Sequence, residues 1–138
     1  MLKQEINTAL IYEAVYNLIK TANVNLPSDV YNKLCNFNCE YKDMILKNAY
    51  LAQLKKRPLC QDTGQVVVFL EIGQNIILDG DYIEDVINLA VKDCYKENLY
   101  RKSTVKDAIF DRQNSGDNTP AVIHTKIVTG DEINILLG

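Results

Sequence analysis

The chain has 138 residues, 47% apolar and 24% charged, with a formal net charge of −3. That describes one soluble domain able to bury a core without disulfides. The acidic balance and scattered cations leave no electrostatic case for nucleic acid. No stretch is long and apolar enough for a membrane span, and the N-terminus lacks a signal-peptide core. A cytoplasmic protein is expected, whose four cysteines are thiols or metal ligands rather than bridges.

Residues 3 to 22 read as an amphipathic helix, with Ile6, Leu10, Val15, Leu18 and Ile19 near one face. Pro27 pushes Leu26 out of helical geometry, and Ser28 or Asp29 is placed to cap a second helix over 29 to 38. A third fits 41 to 56, with Ile45, Ala49 and Ala52 inward. Its end carries Lys55, Lys56 and Arg57, where cations complement the helix dipole, and Pro58 stops it. “QVVVFLEIG” then reads as a strand covered on both faces. “NIILDG” follows as the second arm of a hairpin. Asp81 is placed to cap a helix over 82 to 97, with Val86, Ala90, Val91 and Cys94 inward. Residues 100 to 120 form a long loop of the kind that often carries function. “AVIHTKIVTGDEINILLG” alternates as two strands about a turn at Thr129, Gly130 and Asp131. Helices, strands, a helix and strands again predict an α+β fold, N-terminal helices packed with a mostly antiparallel sheet.

Cys60 opens the chemical reading. A free cysteine is usually a small buried hydrophobe. This one stands in a loop before a strand and precedes Gln61 and Asp62, which need polar partners if buried. Loop residues held at the start of a strand are well placed for function. A neighbouring carboxylate raises a thiol's pKa and disfavours the thiolate nucleophile, whereas a bound cation reverses that penalty. The local chemistry therefore prefers a soft metal centre at Cys60 over covalent catalysis by it.

The other candidates are weaker. Cys35 and Cys39 share a helical face, but a structural zinc site needs more soft ligands than they supply, so they read as core or partly exposed thiols. Cys94 reads as packing. His124, the one histidine, alternates with Ile123 on a strand. “NSGDNTPAVIH” begins with turn formers; Asn114, Asp117, Asn118 and Thr119 either cap their own turn or tie a loop against a second subunit or a site. Arg101, just past the fourth helix, caps that helix or ends in water, or else points inward as a bidentate carboxylate clamp.

“PLCQDTGQVVVFLEIG”, “RKST” and “NSGDNTPAVIH”, in this order and spacing, resemble the iron–sulfur hydro-lyases. These are the class I fumarate hydratases and the related L-tartrate dehydratases, and the resemblance is to the N-terminal part of the α subunit. It covers most of the chain and is specific for the family rather than for the substrate. It implies that Cys60 is one of three thiolates holding a 4Fe–4S cluster whose open iron binds substrate. It implies substrate contacts from Gln61 and Asp62, proton transfer by Asp62 near the leaving hydroxyl, and a substrate carboxylate held by Arg101. The implied reaction is reversible loss and addition of water on a small dicarboxylate, with iron as Lewis acid and no redox change.

The family continues into a lysine- and glycine-rich segment and supplies two more cluster cysteines, which Cys35, Cys39 and Cys94 do not match. The family's base for carbon also lies elsewhere. The expectation is therefore that residues 1–138 form a single domain, an N-terminal piece of a longer α subunit. It would work with the remainder of that subunit and with a β subunit or C-terminal domain, in a homo-oligomer. Alone it would hold no stable cluster and show no hydratase activity. Fumarate and malate are preferred as substrates; the alternatives are an L-tartrate dehydratase α subunit, a non-catalytic interaction module of the same fold, or a zinc protein using Cys35 and Cys39.

Overall fold

The computed structural model describes residues 3–138. In chain order the elements are β1 (Gln4–Asn7), α1 (Thr8–Val24), α2 (Ser28–Asn36), α3 (Lys42–Lys55), β2 (Val67–Gly73), β3 (Ile76–Asp79), α4 (Ile83–Glu97), β4 (Val122–Val128) and β5 (Ile133–Leu137). This is the α+β class the sequence predicts.

The core lies between two helices and one face of a sheet. Ile11, Val15 and Ile19 recur every four residues along α1 and are buried, which is the helical period at work. Ile87, Ala90, Val91 and Cys94 form the matching face of α4, and Val68, Leu70 and Ile72 alternate inward from β2. Each fully buried Val, Leu or Ile side chain here contributes about 1.5–3 kcal/mol. Polar ties lace the helices at the rim: the Tyr12 hydroxyl donates to Asp93 at 3.0 Å and the Tyr16 hydroxyl to Glu97 at 2.6 Å.

Several local expectations are corrected. The first helix starts at Thr8, capped by the Asn7 side chain, which accepts from the Ala9 N–H. Residues 4–7 instead pair in parallel with β3. Leu10 faces solvent, because the buried stripe runs through Ile11. Neither Ser28 nor Asp29 caps α2, which starts after Pro27 with no side-chain cap. Asp81 likewise does not cap α4, whose preceding residue is Tyr82. Ile45 is exposed on α3, which buries only Ala49 and Ala52.

The strand pairing differs most. The sheet is mixed rather than mostly antiparallel: its order is β4–β2–β5, with β4 parallel to β2 and β5 antiparallel to it. No hairpin joins β2 to β3, since the Gln74 N–H donates to Val128 and the Asn75 N–H to Gly130. Nor do β4 and β5 pair with each other. The chain between them crosses the end of β2, with the Gly73 N–H donating to Glu132 at 2.9 Å. That crossing explains Gly73: a Cβ there would sit 2.6 Å from the Gly130 carbonyl oxygen.

The parallel pairing has a functional consequence. Val67 stands opposite Val122, so the segments preceding β2 and β4 emerge at the same end of the sheet. Antiparallel strands of this length would have placed them roughly 20 Å apart.

Candidate active site

The loop of residues 60–64 is fastened on both flanks. Before Cys60, the Leu59 N–H donates to the Asn23 carbonyl at the end of α1, and Asn48 of α3 donates to the Leu59 carbonyl, both at 2.8 Å. After it, the buried Tyr95 hydroxyl of α4 reaches the carbonyls of Thr63 at 3.2 Å and Gly64 at 3.4 Å. Gly64 has φ +67°, a conformation natural to glycine. It lets the Gly64 N–H turn back to Asp62 Oδ1 at 3.2 Å.

Cys60, Gln61 and Asp62 are all exposed on this loop. Cys60 is therefore not packed among aliphatic side chains. The Asp62 carboxylate also accepts from Ser103 Oγ at 3.0 Å. The Gly64 N–H first, then the Ser103 hydroxyl and the charge of Arg101, hold its pKa below the ordinary carboxylate value. Hydrogen bonds and a cation that favour the charged form act in this direction, so Asp62 is an anion at neutral pH. Arg101 is exposed beside it, and its backbone carbonyl accepts from Thr63 Oγ1 at 2.9 Å.

The third segment enters through Asn118, which is fully buried. Its Oδ1 accepts from the Ser103 N–H at 2.7 Å and the Thr104 N–H at 3.1 Å, and its Nδ2 donates to the Gly64 carbonyl at 3.1 Å. Asn114 donates to the Lys102 carbonyl at 2.8 Å, and Gln65 to the Pro120 carbonyl at 3.2 Å. The structure thus brings together all three motifs singled out in the sequence. A cavity of about 310 Å³ adjoins the loop, walled by Asn23, Asp62, Thr63, Gln65, Tyr95 and Gly138 among others.

Other candidates fall away from this junction. His124 is on the outer sheet face, stacked on Phe69 with ring centroids 5.1 Å apart. Cys94 is buried in the α1–α4 seam, its thiol pushed up to about 11 chiefly by desolvation. Cys35 and Cys39 are half-buried near the end of α2. Among the described residues no three His, Cys, Asp or Glu side chains gather to hold a metal ion. At this junction Cys60 offers a single exposed thiol, whereas an iron–sulfur cluster takes several thiolates. Sequence reasoning gave no role to Ser103 or Tyr95; the hydroxyl in “RKST” was the available signal for the first, and nothing local marked the second.

The chain matches the fumarate hydratase (Fumerase) family over residues 12–138 and belongs to it. It is 30% identical over 115 residues to the L(+)-tartrate dehydratase subunit alpha of Escherichia coli strain K12, covering 78% of this chain and 37% of that one. It is 29% identical over 135 residues to the same subunit of Escherichia coli O157:H7, covering 89% and 44%. With fumarate hydratase 1, mitochondrial, of Leishmania major it shares 29% identity over 93 residues, 67% of this chain and 17% of the relative. The chain thus spans less than half the length of these relatives. No helix among the described residues is long and apolar enough to cross a membrane.

Proposed function

We propose that this chain forms one wall of the active site of a hydro-lyase that adds water to, or removes it from, a small hydroxy-dicarboxylate, with fumarate and malate preferred. The observation that carries this reading is the junction of Cys60–Gly64 with Arg101–Ser103. Asp62 and Ser103 are 41 residues apart in sequence and 3.0 Å apart in space, beside a thiol open to solvent. In this reading residues 1–138 are the N-terminal domain of a longer α subunit. Cys60 holds one corner of a 4Fe–4S cluster, whose other protein ligands come from the remainder of that subunit. When bound, the cluster supplies a Lewis acid for the substrate hydroxyl.

This chain's own side chains do the rest of the work on that wall. Arg101 takes a substrate carboxylate in paired, charge-assisted hydrogen bonds. Asp62 accepts the proton of the attacking water during hydration and returns it to the departing hydroxyl in the reverse direction. Gln61, exposed next to it, offers an amide to a substrate oxygen. The proton on carbon is taken by a base outside this chain. Apolar side chains exposed just after α2 and along α3, including Phe37, Met44 and Leu54, support association with the rest of the subunit, a β subunit and further copies. A cytoplasmic setting suits exposed, unbridged thiols.

A specific observation favours L(+)-tartrate as a second reading: relatives aligned with 89% of this chain carry that name. The test uses protein purified anaerobically from its own cells, with the segments and subunits that accompany it, assayed with fumarate, malate and both tartrates. Hydration of fumarate supports the first reading, and turnover of tartrate alone selects the second. A preparation with full iron and sulfide that turns over none of them points to a non-catalytic module and defeats both. The 138-residue chain by itself is expected to retain no stoichiometric iron and to show no turnover. An anaerobic preparation of it with stoichiometric iron and sulfide would contradict that.

A further inference from the structure

We infer that Asn118 is a positioning residue for the active site: its carboxamide clamps the Cys60–Gly64 loop to the Arg101–Thr104 segment and so sets the spacing of Asp62 and Arg101. The inference rests on the proposed function for its catalytic meaning and on geometry alone for the clamp.

Three features single out Asn118. Its side chain is fully buried, yet it belongs to none of the aliphatic core. Both ends of its amide are committed to backbone of the two site segments. Oδ1 receives the N–H groups of Ser103 and Thr104, with the Thr104 hydroxyl at 3.2 Å as well, while Nδ2 gives its proton to the Gly64 carbonyl. The partners fix which way round the amide lies, because two N–H donors require oxygen and a carbonyl requires nitrogen. Its backbone is also held in the left-handed region, φ +66°, with its N–H on Ser115 Oγ at 3.1 Å. Asparagine tolerates that conformation better than other side-chain-bearing residues. The residue thus combines the permitted backbone with a short carboxamide that offers donor and acceptor in a single plane.

What it joins is the working part of the site. On one side the Gly64 N–H holds Asp62 and the Gly64 carbonyl meets Asn118. On the other, Ser103 gives its backbone N–H to Asn118 and its hydroxyl to Asp62. Thr63 ties the same loop to Arg101. Removing the Asn118 amide leaves Asp62 and Arg101 linked only by exposed contacts, free to drift by a fraction of an ångström or more. Misplacement of about 1 Å at a catalytic group can cost about 10²-fold in rate.

Two variants test this. Asn118→Gly keeps the left-handed backbone and deletes the clamp. Asn118→Asp keeps the acceptor for Ser103 and Thr104 and loses the donor to Gly64. Amide hydrogen exchange by NMR on the 138-residue chain should show Ser103 and Thr104 losing protection in Asn118→Gly and keeping it in Asn118→Asp, with α1 and α4 amides unchanged in both. In the enzyme purified anaerobically with its accompanying parts, Asn118→Gly should lower kcat/KM about 10²-fold, with kcat falling more than KM rises and with iron and sulfide content intact. Unchanged protection at Ser103 and Thr104 in Asn118→Gly would refute the clamp. Lost protection with unchanged kcat/KM would make Asn118 a structural clip and overturn the positioning role. If Asn118→Gly does not fold, Asn118→Asp decides: the positioning role then requires a lower kcat with iron content and amide protection kept, and wild-type kcat overturns it. Wild-type enzyme inactive towards every diacid would end the functional reading and the catalytic role with it, leaving exchange to judge the clamp.

Discussion

Tyr95→Phe isolates the hold of the core on the site loop. The Tyr95 ring is fully buried on α4 and packs edge-on against Tyr100, with centroids 5.6 Å apart and planes at 89°. Only its hydroxyl is removed by the substitution, so ring packing and core volume survive. That hydroxyl donates to the carbonyls of Thr63 and Gly64 at 3.2 and 3.4 Å. Gly64 keeps a donor in Asn118 Nδ2, so the Thr63 carbonyl bears the loss. One shared hydrogen bond is worth about 0.5–1.5 kcal/mol net, and an acceptor left unpaired raises the cost to about 1–3 kcal/mol. We expect about 1–2 kcal/mol, which with a urea slope of about 2 kcal/mol/M lowers the midpoint by about 0.5–1 M. Urea unfolding of the 138-residue chain, followed by circular dichroism, measures it. Tyr100→Phe, which removes the hydroxyl of the ring packed against Tyr95, is the matched control; its midpoint should barely move. Equal midpoints for wild type and Tyr95→Phe, or an equal fall in both variants, would refute the claim that Tyr95 anchors the loop.

Further outcomes follow from other parts of the fold. Gly73→Ala should destabilise the chain by about 1–3 kcal/mol, since the new methyl meets the backbone of Gly130 at 2.6 Å; a neutral result in thermal melts would mean the β4–β5 crossing does not pass the end of β2 so closely. Ile87→Ala, in the middle of the α1–α4–sheet core, should cost about 2–5 kcal/mol by the same melts. Asp62 and Asp117 both have carboxyl pKa values lowered in the fold. Their stabilisation is therefore complete above the unfolded value of about 3.9 and is lost as pH falls through the lower folded values. Stability should hold from neutral pH down to about 4 and decline below it, with a shallower acid limb in Asp117→Asn. An unchanged limb in that variant would show that the Thr119 bonds to Asp117 do not favour its anion.

Much of this was legible in the residues. The helical period exposed the buried faces of α1 and α4, because Val15, Ile19, Ala90, Val91 and Cys94 repeat at the spacing a helix imposes. β2 was legible from its β-branched run. Its partners were not, since a strand's side-chain pattern records which residues face inward but not which strand lies beside it. That choice turned on backbone geometry around Gly73 and Gly130 and on the N–H groups of Gln74 and Asn75. The motif around Cys60 and Asp62 stood out because polar residues precede an apolar strand there. Asn118 stood out only as one turn former among several. Its partners are backbone groups of Gly64, Ser103 and Thr104, and a sequence says nothing about where backbone groups meet.

The most direct measurement is the iron and sulfide content of wild-type and Cys60→Ser protein, each purified anaerobically with its accompanying segments and subunits. If Cys60 is a corner of the cluster, wild type carries near-stoichiometric iron and sulfide, and Cys60→Ser loses them while its helix content stays intact. Full iron and sulfide in Cys60→Ser, or none in either protein, would contradict the account.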